Sequence, residues 1–503
     1  MSIGFLKQRF GTAAEIGFIL ALLVLSLIAV GFVLYATVWG AGLISDSFQY
    51  IATAKTVVRQ GFWGYPAEDG SMIPLAQYPP FFPAVLALLE AVSTNALSGV
   101  RLLNAGLMGA NVFLVGITAR RMTNQSAFGL LAAVFVLSNR EFIEAHCWAL
   151  SEPLYLFLAL VGLILLVDSR PRQLLRLGWV AFWFALASLT RYIGIALIGC
   201  GMVIVFSQTK PQREKWIHSL SFGLMGVLPL ALWTVRTAQL TTTINNRLFD
   251  YVPLTGKNLL SLFQTMGGWF VPTSWLVGQE KIWVLLLGAG MLGLLIGGLV
   301  FWRKGVGIAP SSPLRHPLAL AWGLYAFLHI VFLILAKVGF DHNIGFGDRL
   351  LLPAWLGVII WITAGIAQLW QQRERAARFL GIGVALYLLL YFSVGSAASL
   401  PRWHKQGLGL ARKSWHDSQA IQALRSLDSG RVYSNSPSTV YLWAGSPGYS
   451  LNEFAQLRES HSSEPAYLVV FHHIPTNARI QRLSADLPVI IEDRIATIYR
   501  YPP

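Results

Sequence analysis

The sequence is poor in charged residues, which make up only 12% of its 503 residues. Soluble domains carry roughly 25% charged residues, so this shortage excludes an ordinary soluble domain. Hydrophobic residues instead account for 55% of the chain, and the mean hydropathy is +0.57. The composition therefore predicts an integral membrane protein.

Cysteine is also scarce, and only Cys147 and Cys200 occur in the chain. Both lie in or beside apolar segments, with the spacing of neither a disulfide framework nor a zinc site. Acidic residues are fewer than basic ones, 23 against 38, which gives a formal charge of +15. Because membrane proteins collect Lys and Arg in cytoplasmic loops, we interpret this excess as a sign of orientation and expect no nucleic-acid partner.

Long apolar runs are abundant, and about 20 apolar residues suffice for a helix to cross the hydrocarbon core. Clear candidates for spans lie at 15–38, 100–119, 151–167, 216–235, 281–302, 317–336, 350–370 and 378–396. A shorter candidate lies at 127–138. The run 177–206 would measure roughly 45 Å as a single helix, which is too long for one ordinary span.

Clusters of Lys and Arg orient these spans, because such clusters face the cytoplasm. They lie near residues 7–9, 120–121, 170–176, 210–215, 303–304 and 373–378. If all of these clusters lie on the cytoplasmic side, the run 177–206 must be a hairpin of two short spans with Arg191 at its outer tip. Residues 81–92 must dip into the outer face and return. The sequence therefore predicts about eleven transmembrane helices, a cytoplasmic N-terminus and an extracytoplasmic C-terminal region.

The end of the chain has a different character. Residues 400–503 are polar and contain the short strand-like runs VYSN, AYLVVFHH, PVIIED and IATIYRY, with helix-like stretches between them. The predicted organisation is a polytopic α-helical membrane domain over 1–399, with a large first outer loop at 40–100, and a small extracytoplasmic α/β domain over 400–503.

Unusual residues concentrate in the predicted outer loops. Asp46 and Tyr50 follow the first span one helical turn apart, so they can share a helix face. The prolines of YPPFFP, residues 78–83, argue against a regular helix there. Glu152 precedes a proline at the start of an apolar helix, where a first-turn acid is also explained by the helix dipole alone.

The same side of the membrane carries the basic groups. Arg191 lies at the hairpin tip, and GFDHNIGFGDR places Asp341, His342, Asp348 and Arg349 among glycines. A carboxylate can act as general base on a hydroxyl or amine, and arginine binds phosphate through two parallel hydrogen bonds. Ionisable groups at a membrane boundary are costly and tend to mark function. This mixture suggests transfer from a lipid phosphate.

The segments DSFQY, YPPFFP, SEPLYLFL, LTRYIGIAL and GDRLLLPAW, in this order, are similar to those of a known family. Over residues 1–400 the chain resembles the C-type (GT-C fold) membrane glycosyltransferases, in particular the family 39-like group of protein O-mannosyltransferases and aminoarabinose transferases. The resemblance implies an inverting hexosyl- or pentosyltransferase that uses a polyprenyl-phosphate sugar on the outer face, in a bacterial inner or plasma membrane. Ser47 departs from the Asp-Glu pair that protein mannosyltransferases usually show.

The resemblance implies that Asp46 is the general base and that basic groups bind the donor phosphate. We assign the phosphate to Arg191 and Arg349, and a second acidic role to Glu152. Interfacial snorkelling of Arg191 and an ion pair between Arg349 and Asp348 are the simpler alternatives. Further substrate contacts are expected from Tyr50, Tyr78, His146, Asp341, His342 and Asp348.

We expect no metal and no other cofactor, although Asp341, His342 and Asp348 are spaced loosely enough to mimic a divalent-metal site. The expected partners are the polyprenyl-phosphate sugar donor and membrane lipids. Two other functions stay open. A lipid or sugar-lipid transporter would place ionisable groups near the midplane and show repeated halves. A polysaccharide polymerase or ligase with a lipid-diphosphate donor would share the arginines but needs no acid after the first span.

Overall fold

The fold is helical over most of its length and ends in a small sheet. The computed structural model describes residues 13–92, 95–168, 174–209, 212–241, 250–272, 312–341, 343–427, 430–460, 464–475 and 478–501, with single residues between 282 and 293. The predicted span at 281–302 lies largely outside the described residues, and His342 lies outside them entirely.

The described helices up to residue 406 surround one hydrophobic core. In chain order they are α1 (Ala13–Ala36), α2 (Ser45–Gln60), α3 (Phe81–Ala91), α4 (Ala96–Thr123), α5 (Ser126–Ser138), α6 (Arg140–Cys147), α7 (Glu152–Asp168), α8 (Leu174–Thr190), α9 (Gly194–Gln208), α10 (Gln212–Leu240), α11 (Gly256–Gly268), α12 (Pro317–Gly339), α13 (Asp348–Gln371) and α14 (Arg375–Gln406). A two-stranded hairpin of β1 (Gly64–Pro66) and β2 (Met72–Pro74) follows α2.

Six of the described helices, α1, α4, α10, α12, α13 and α14, are long and apolar enough to cross a membrane. A seventh crossing results if α5 and α6, which meet at a bend of 61°, count as one broken span. Helices α7, α8 and α9 have 15–17 residues each and are shorter than the hydrocarbon core at 1.5 Å per residue. The protein is therefore an integral membrane protein, and the count of eleven spans stays a prediction.

The predicted break of the run 177–206 at Arg191 is confirmed. Helix α8 ends at Thr190 and α9 begins at Gly194, and the Gly194 N–H donates to the Arg191 carbonyl at 2.8 Å. A Cβ at position 194 would stand 2.5 Å from the Ser188 Cα, so the tight turn requires glycine. This turn places the Arg191 side chain at the end of two helices.

Helix α2 carries Asp46 in its first turn. The Ser47 hydroxyl accepts a hydrogen bond from the Ile44 backbone N–H at 3.2 Å, which supports the start of the helix. The helix ends at Gly61, whose φ of +66° is the left-handed conformation that glycine adopts without strain. Asp46 therefore lies at the positive end of the helix dipole, which stabilises a carboxylate.

The expectation of an irregular YPPFFP segment is wrong after Pro80. Helix α3 begins at Phe81 and includes Pro83 in its first turn. A proline at this position removes only an N–H that has no partner within the helix, so the helix forms.

The backbone just before Asp46 is held between two distant segments. The Gly42 N–H donates to the Cys147 carbonyl and the Gly42 carbonyl accepts from the Ala149 N–H, both at 2.8 Å. On the other side, the Leu410 N–H donates to the Leu43 carbonyl at 3.1 Å. These bonds position the start of α2 against the loop that leads to Glu152.

We expect Gly42→Ala to lower the melting temperature, because the added methyl group has no space. A Cβ there would stand 2.6 Å from the Trp148 ring and 2.9 Å from the Leu408 Cβ. Overpacking of this kind costs about 1–3 kcal/mol. Thermal unfolding in detergent measures the change. Gly31→Ala is the matched control, since nothing lies within 4 Å of its added Cβ, and equal melting temperatures for the two variants would contradict the prediction.

The C-terminal region forms a five-stranded sheet in the order β4-β3-β5-β7-β6. Its elements are α15 (Lys413–His416), α16 (Gln419–Arg425), β3 (Arg431–Ser434), α17 (Pro437–Ala444), β4 (Gly448–Tyr449), α18 (Leu451–Glu459), β5 (Ala466–Phe471), α19 (Ala478–Ser484), β6 (Val489–Glu492) and β7 (Ala496–Tyr501). The four predicted strand-like runs become β3, β5, β6 and β7, whereas the two-residue strand β4 and the helices α18 and α19 were not anticipated. The boundary at residue 400 stays a prediction, since α14 runs through it.

Alternation along the central strand explains the two faces of this sheet. Leu468 and Val470 of β5 belong to one hydrophobic cluster, and Val469 and Phe471 belong to the other. A strand points successive side chains to opposite faces, so a strand that is apolar throughout is covered on both sides.

The C-terminal region also packs on the region between α1 and α4. The Tyr441 ring meets Phe48 of α2 edge-on at 5.4 Å, and the Lys55 ammonium group lies 5.7 Å from the Tyr441 ring centroid. The Ser450 N–H donates to the Glu68 carbonyl at 2.7 Å. Helix α2 is thus held by the membrane domain on one side and by the C-terminal sheet region on the other.

Candidate active site

Four charged residues from distant parts of the sequence meet where several helices begin or end. Asp46 lies in the first turn of α2, and Glu152 is the first residue of α7. Arg191 lies in the turn between α8 and α9, and Arg349 is in the first turn of α13. Because each residue lies at a helix terminus, its side chain leaves the apolar core and reaches its neighbours at one boundary of the helical domain.

Arg349 joins the two carboxylates. Its Nη2 donates to Asp46 Oδ2 at 2.6 Å, and its Nε donates to Glu152 Oε1 at 2.5 Å. Arg349 makes these two contacts in place of the ion pair with Asp348 that was the simpler alternative to a phosphate role. A guanidinium group can hold two carboxylates in this way because its donors point in fixed, separate directions.

Glu152 is the buried centre of the cluster, with a side chain only 2% exposed. Arg191 Nη1 lies 2.6 Å from the same Oε1 that accepts from Arg349, so two guanidinium groups neutralise one buried carboxylate. Arg191 also donates to the Ser151 hydroxyl at 3.2 Å. A buried carboxylate is tolerated only when it is paired in this manner.

Two tyrosines from the region between α1 and α4 complete the cluster. The Tyr78 hydroxyl is hydrogen-bonded to the Asp46 carboxylate, and the Tyr50 hydroxyl lies 3.4 Å from Ser151 Oγ. Their ring centroids are 4.8 Å apart. Burial, together with the Asp46 charge, raises the pKa of Tyr78, and burial raises the pKa of Tyr50. Both phenols are therefore neutral groups that can donate a hydrogen bond.

Other predicted site residues lie outside this cluster. His146 is 1% exposed, and its ring nitrogens contact Asn111 Nδ2 at 3.0 Å and the Phe142 carbonyl at 2.7 Å. The same Asn111 amide donates to the Pro153 carbonyl at 3.1 Å. His146 therefore supports the start of α7 through Asn111. Asp341 lies in the loop after α12, where its carboxylate accepts from the Asn343 N–H at 3.0 Å.

Beside the cluster lies a cavity of about 410 Å³. Its lining residues are Ile44, Arg140, Glu141, Glu144, Ala145, Trp148, Leu150, Glu152, Gly347, Asp348 and Arg349. Arg349 and Glu152 thus belong both to the charged cluster and to this cavity. Among the predicted site residues, Asp348 also lines it, where it is hydrogen-bonded to the Trp269 side chain.

Sequence reasoning did not identify the acidic residues of α6 as part of the site. Glu141 and Glu144 are three residues apart, the spacing that places side chains on one helix face. This pattern is visible in the segment NREFIEAHC, but a short helix in a loop gives no indication of which way its polar face points. Ser151 contacts both Arg191 and Tyr50. It precedes Glu152 in the sequence, but nothing in the sequence indicated that it belongs to the site.

Metal binding has no support in the described part of the chain, where no three His, Cys, Asp or Glu side chains are grouped as metal ligands would be. The absence of a cofactor stays a prediction.

Comparisons with known proteins identify the fold. No protein-family model matches the sequence, and no curated protein matches it. The structure is similar to ArnT from Cupriavidus metallidurans bound to undecaprenyl phosphate, with a TM-score of 0.58 and 14% identity over 98% of each chain. It is also similar to the oligosaccharyltransferase AglB from Archaeoglobus fulgidus in complex with dolichol-phosphate, with a TM-score of 0.53 and 10% identity over 92% of this chain and 70% of that one.

A third similar structure is the arabinofuranosyltransferase AftD from Mycobacteria, with a TM-score of 0.53 and 15% identity. The match covers 95% of this chain and 39% of AftD. At such low identity these similarities establish the fold alone. The chain therefore has the GT-C fold of these membrane glycosyltransferases.

Proposed function

We propose that this protein transfers a sugar from a polyprenyl-phosphate donor to an acceptor on the outer face of the membrane, with inversion at the anomeric carbon. The observation that carries the proposal is the position of Arg349 between Asp46 and Glu152, beside Arg191. Two structures of this fold contain a polyprenyl phosphate, undecaprenyl phosphate in ArnT and dolichol-phosphate in AglB. They support the same class of lipid here.

In this proposal Arg191 and Arg349 bind the donor phosphate. A glycosyl phosphate carries one negative charge, and the departing polyprenyl phosphate gains another as the glycosidic bond breaks. Guanidinium groups placed next to that oxygen stabilise the charge that develops in the transition state. Glu152 holds both arginines in place and so acts as a positioning residue.

Asp46 has the role of general base. The acceptor oxygen attacks the anomeric carbon, the bond between that carbon and the phosphate oxygen breaks, and its electron pair stays on the phosphate. The acceptor proton passes to the Asp46 carboxylate. Tyr78, which is hydrogen-bonded to Asp46, orients this carboxylate.

Arg349 donates to both carboxylates. A phosphate that binds Arg349 competes with Asp46 for the Nη2 donor, because both are anions that need the same hydrogen bond. Donor binding therefore frees the Asp46 carboxylate from its ion pair, so that it can accept the proton of the acceptor. In this order of events, Asp46 becomes available as the base after the donor has bound.

The proposal is tested with purified protein in lipid nanodiscs that is offered a panel of polyprenyl-phosphate sugars together with a membrane extract as the source of acceptor. We expect release of polyprenyl phosphate with at least one donor, measured by chromatography of the lipid products. If the protein turns over only lipid-diphosphate sugars, the donor is a lipid diphosphate and not a polyprenyl phosphate. No turnover with any donor, despite a folded sample, would favour a transporter or a lipid-diphosphate donor.

A further inference from the structure

The cavity beside Arg349 and Glu152 has features of a ligand site that the chemistry above does not use. Its volume of about 410 Å³ lies within the roughly 300–1,000 Å³ of small-molecule sites. It is lined by the apolar and aromatic side chains of Ile44, Leu150 and Trp148 and by polar side chains. Apolar and aromatic walls with a few polar groups are the usual composition of a site for a small organic ligand.

The charges of the lining are unbalanced. Four carboxylates, Glu141, Glu144, Glu152 and Asp348, face two guanidinium groups, Arg140 and Arg349. Both guanidinium groups are themselves paired with carboxylates. Arg140 pairs with Glu144 at 3.5 Å, and Arg349 pairs with Glu152 and Asp46. A ligand that carries a negative group in addition to the donor phosphate would therefore place it next to carboxylates of the same charge. Such a contact is costly in a confined site.

One lining residue also has an unused acceptor. Glu152 is 2% exposed, and its Oε2 has no hydrogen-bond partner within the described residues. A buried carboxylate oxygen without a donor is expensive, so a ligand that brings a hydroxyl group to this carboxylate would be stabilised. Ionised carboxylates only accept hydrogen bonds, and sugar hydroxyl groups donate them.

The position of the cavity relates it to the donor. The proposed phosphate ligand Arg349 lines the cavity, while Asp46, Arg191 and the tyrosines of the cluster do not. A sugar attached to a phosphate at Arg349 therefore has the cavity as an adjacent space lined with hydrogen-bond acceptors.

We propose that this cavity binds the sugar ring of the donor and selects a neutral ring over one that carries a carboxylate. Glu141, Glu144 and Asp348 are the residues that determine this specificity, since they supply the lining carboxylates outside the Asp46–Arg349–Glu152–Arg191 cluster. The inference rests on the proposed function, because it assumes a polyprenyl-phosphate sugar.

The test compares the affinities of three lipids for the full-length protein in nanodiscs of uncharged phosphatidylcholine. The lipids are undecaprenyl phosphate, undecaprenyl-phosphate glucose and undecaprenyl-phosphate glucuronic acid. The last two differ only at the sugar C6, which is a hydroxymethyl group in one and a carboxylate in the other. We expect the glucose lipid to bind about tenfold or more tightly than the glucuronic acid lipid, as measured by competition against radiolabelled undecaprenyl phosphate.

Variants identify the groups responsible for the discrimination. Glu144→Gln and Asp348→Asn keep the shape of the cavity but remove a charge, and each is expected to reduce the glucose-to-glucuronate preference several-fold, to about 2–4-fold in the double variant. Glu68→Gln is the matched control, because Glu68 is exposed in the β1–β2 turn, and it should keep the wild-type preference.

The outcomes separate the two proposals. If wild type binds the glucose and glucuronic acid lipids equally, or if the variants keep the full preference, the cavity does not hold the donor sugar. If the variants change only how sugar transfer depends on the concentration of the acceptor extract, the cavity binds the acceptor and the inference is wrong. If wild type binds none of the three lipids, the proposed donor class fails, and this inference fails with it.

Discussion

Asp46→Asn should reduce sugar transfer by about 10²–10⁴-fold, the contribution of a positioned general base. Asparagine has nearly the shape of aspartate and can still accept from Arg349 and Tyr78, but its amide does not take up the acceptor proton. Binding of polyprenyl phosphate should persist in the variant, because Arg191 and Arg349 remain. The measurement is single-turnover release of polyprenyl phosphate, with lipid binding measured on the same sample.

Asp69→Asn is the control for this experiment. Asp69 lies in the turn between β1 and β2, where its carboxylate accepts from the Ser71 N–H at 2.8 Å, away from the charged cluster. It should retain wild-type transfer. Wild-type turnover in Asp46→Asn would leave the enzyme class in place and move the base elsewhere, with Glu152 as the next candidate. A loss of both sugar transfer and lipid binding would instead indicate that Asp46 organises the phosphate site.

Arg349→Lys should weaken both donor binding and the folded state. A lysine has a single ammonium group on a flexible stem and cannot contact Asp46 and Glu152 with the two fixed donors that Arg349 uses. Removing one partner of a buried ion pair costs about 3–5 kcal/mol, and we expect the lower end here because the Arg349 side chain is 36% exposed and a positive charge is retained.

Thermal unfolding and polyprenyl-phosphate affinity are the two measurements for Arg349→Lys. We expect a lower melting temperature and at least about tenfold weaker lipid binding, since an arginine–phosphate fork is lost. Arg378→Lys is the matched control, because Arg378 is exposed and donates only to the Gln372 carbonyl at 2.9 Å. A variant with wild-type affinity and stability would show that a point charge suffices and that the fork is not required.

Fold class followed from properties that each segment carries by itself. A helix at the membrane satisfies its own backbone hydrogen bonds, so a run of apolar residues such as 15–38 predicts a span without knowledge of its neighbours. The C-terminal strands were found for a similar reason, since β-branched and aromatic residues favour strands locally. The break at Arg191 followed from the length of the run 177–206, from the orientation set by the basic clusters, and from the cost of an arginine at the centre of a span.

Spans shorter than the hydrocarbon core were harder to judge. Helices α8 and α9 are present, but their 15–17 residues do not decide by length whether they cross the membrane. The irregular YPPFFP segment was mispredicted because the effect of Pro83 depends on where the helix begins, and proline is tolerated in the first turn.

By itself, the sequence determined that the protein is an integral membrane protein, that its C-terminal region contains a sheet, and that Asp46, Glu152, Arg191 and Arg349 stand at the ends of apolar segments. Only the tertiary structure decided that Arg349 pairs with Asp46 and Glu152, which precede it by 303 and 197 residues. It also decided that His146 faces inward while Glu141 and Glu144 face the cavity. Periodicity and apolar length act over a few neighbouring residues, whereas a contact between distant side chains depends on how all the intervening helices pack.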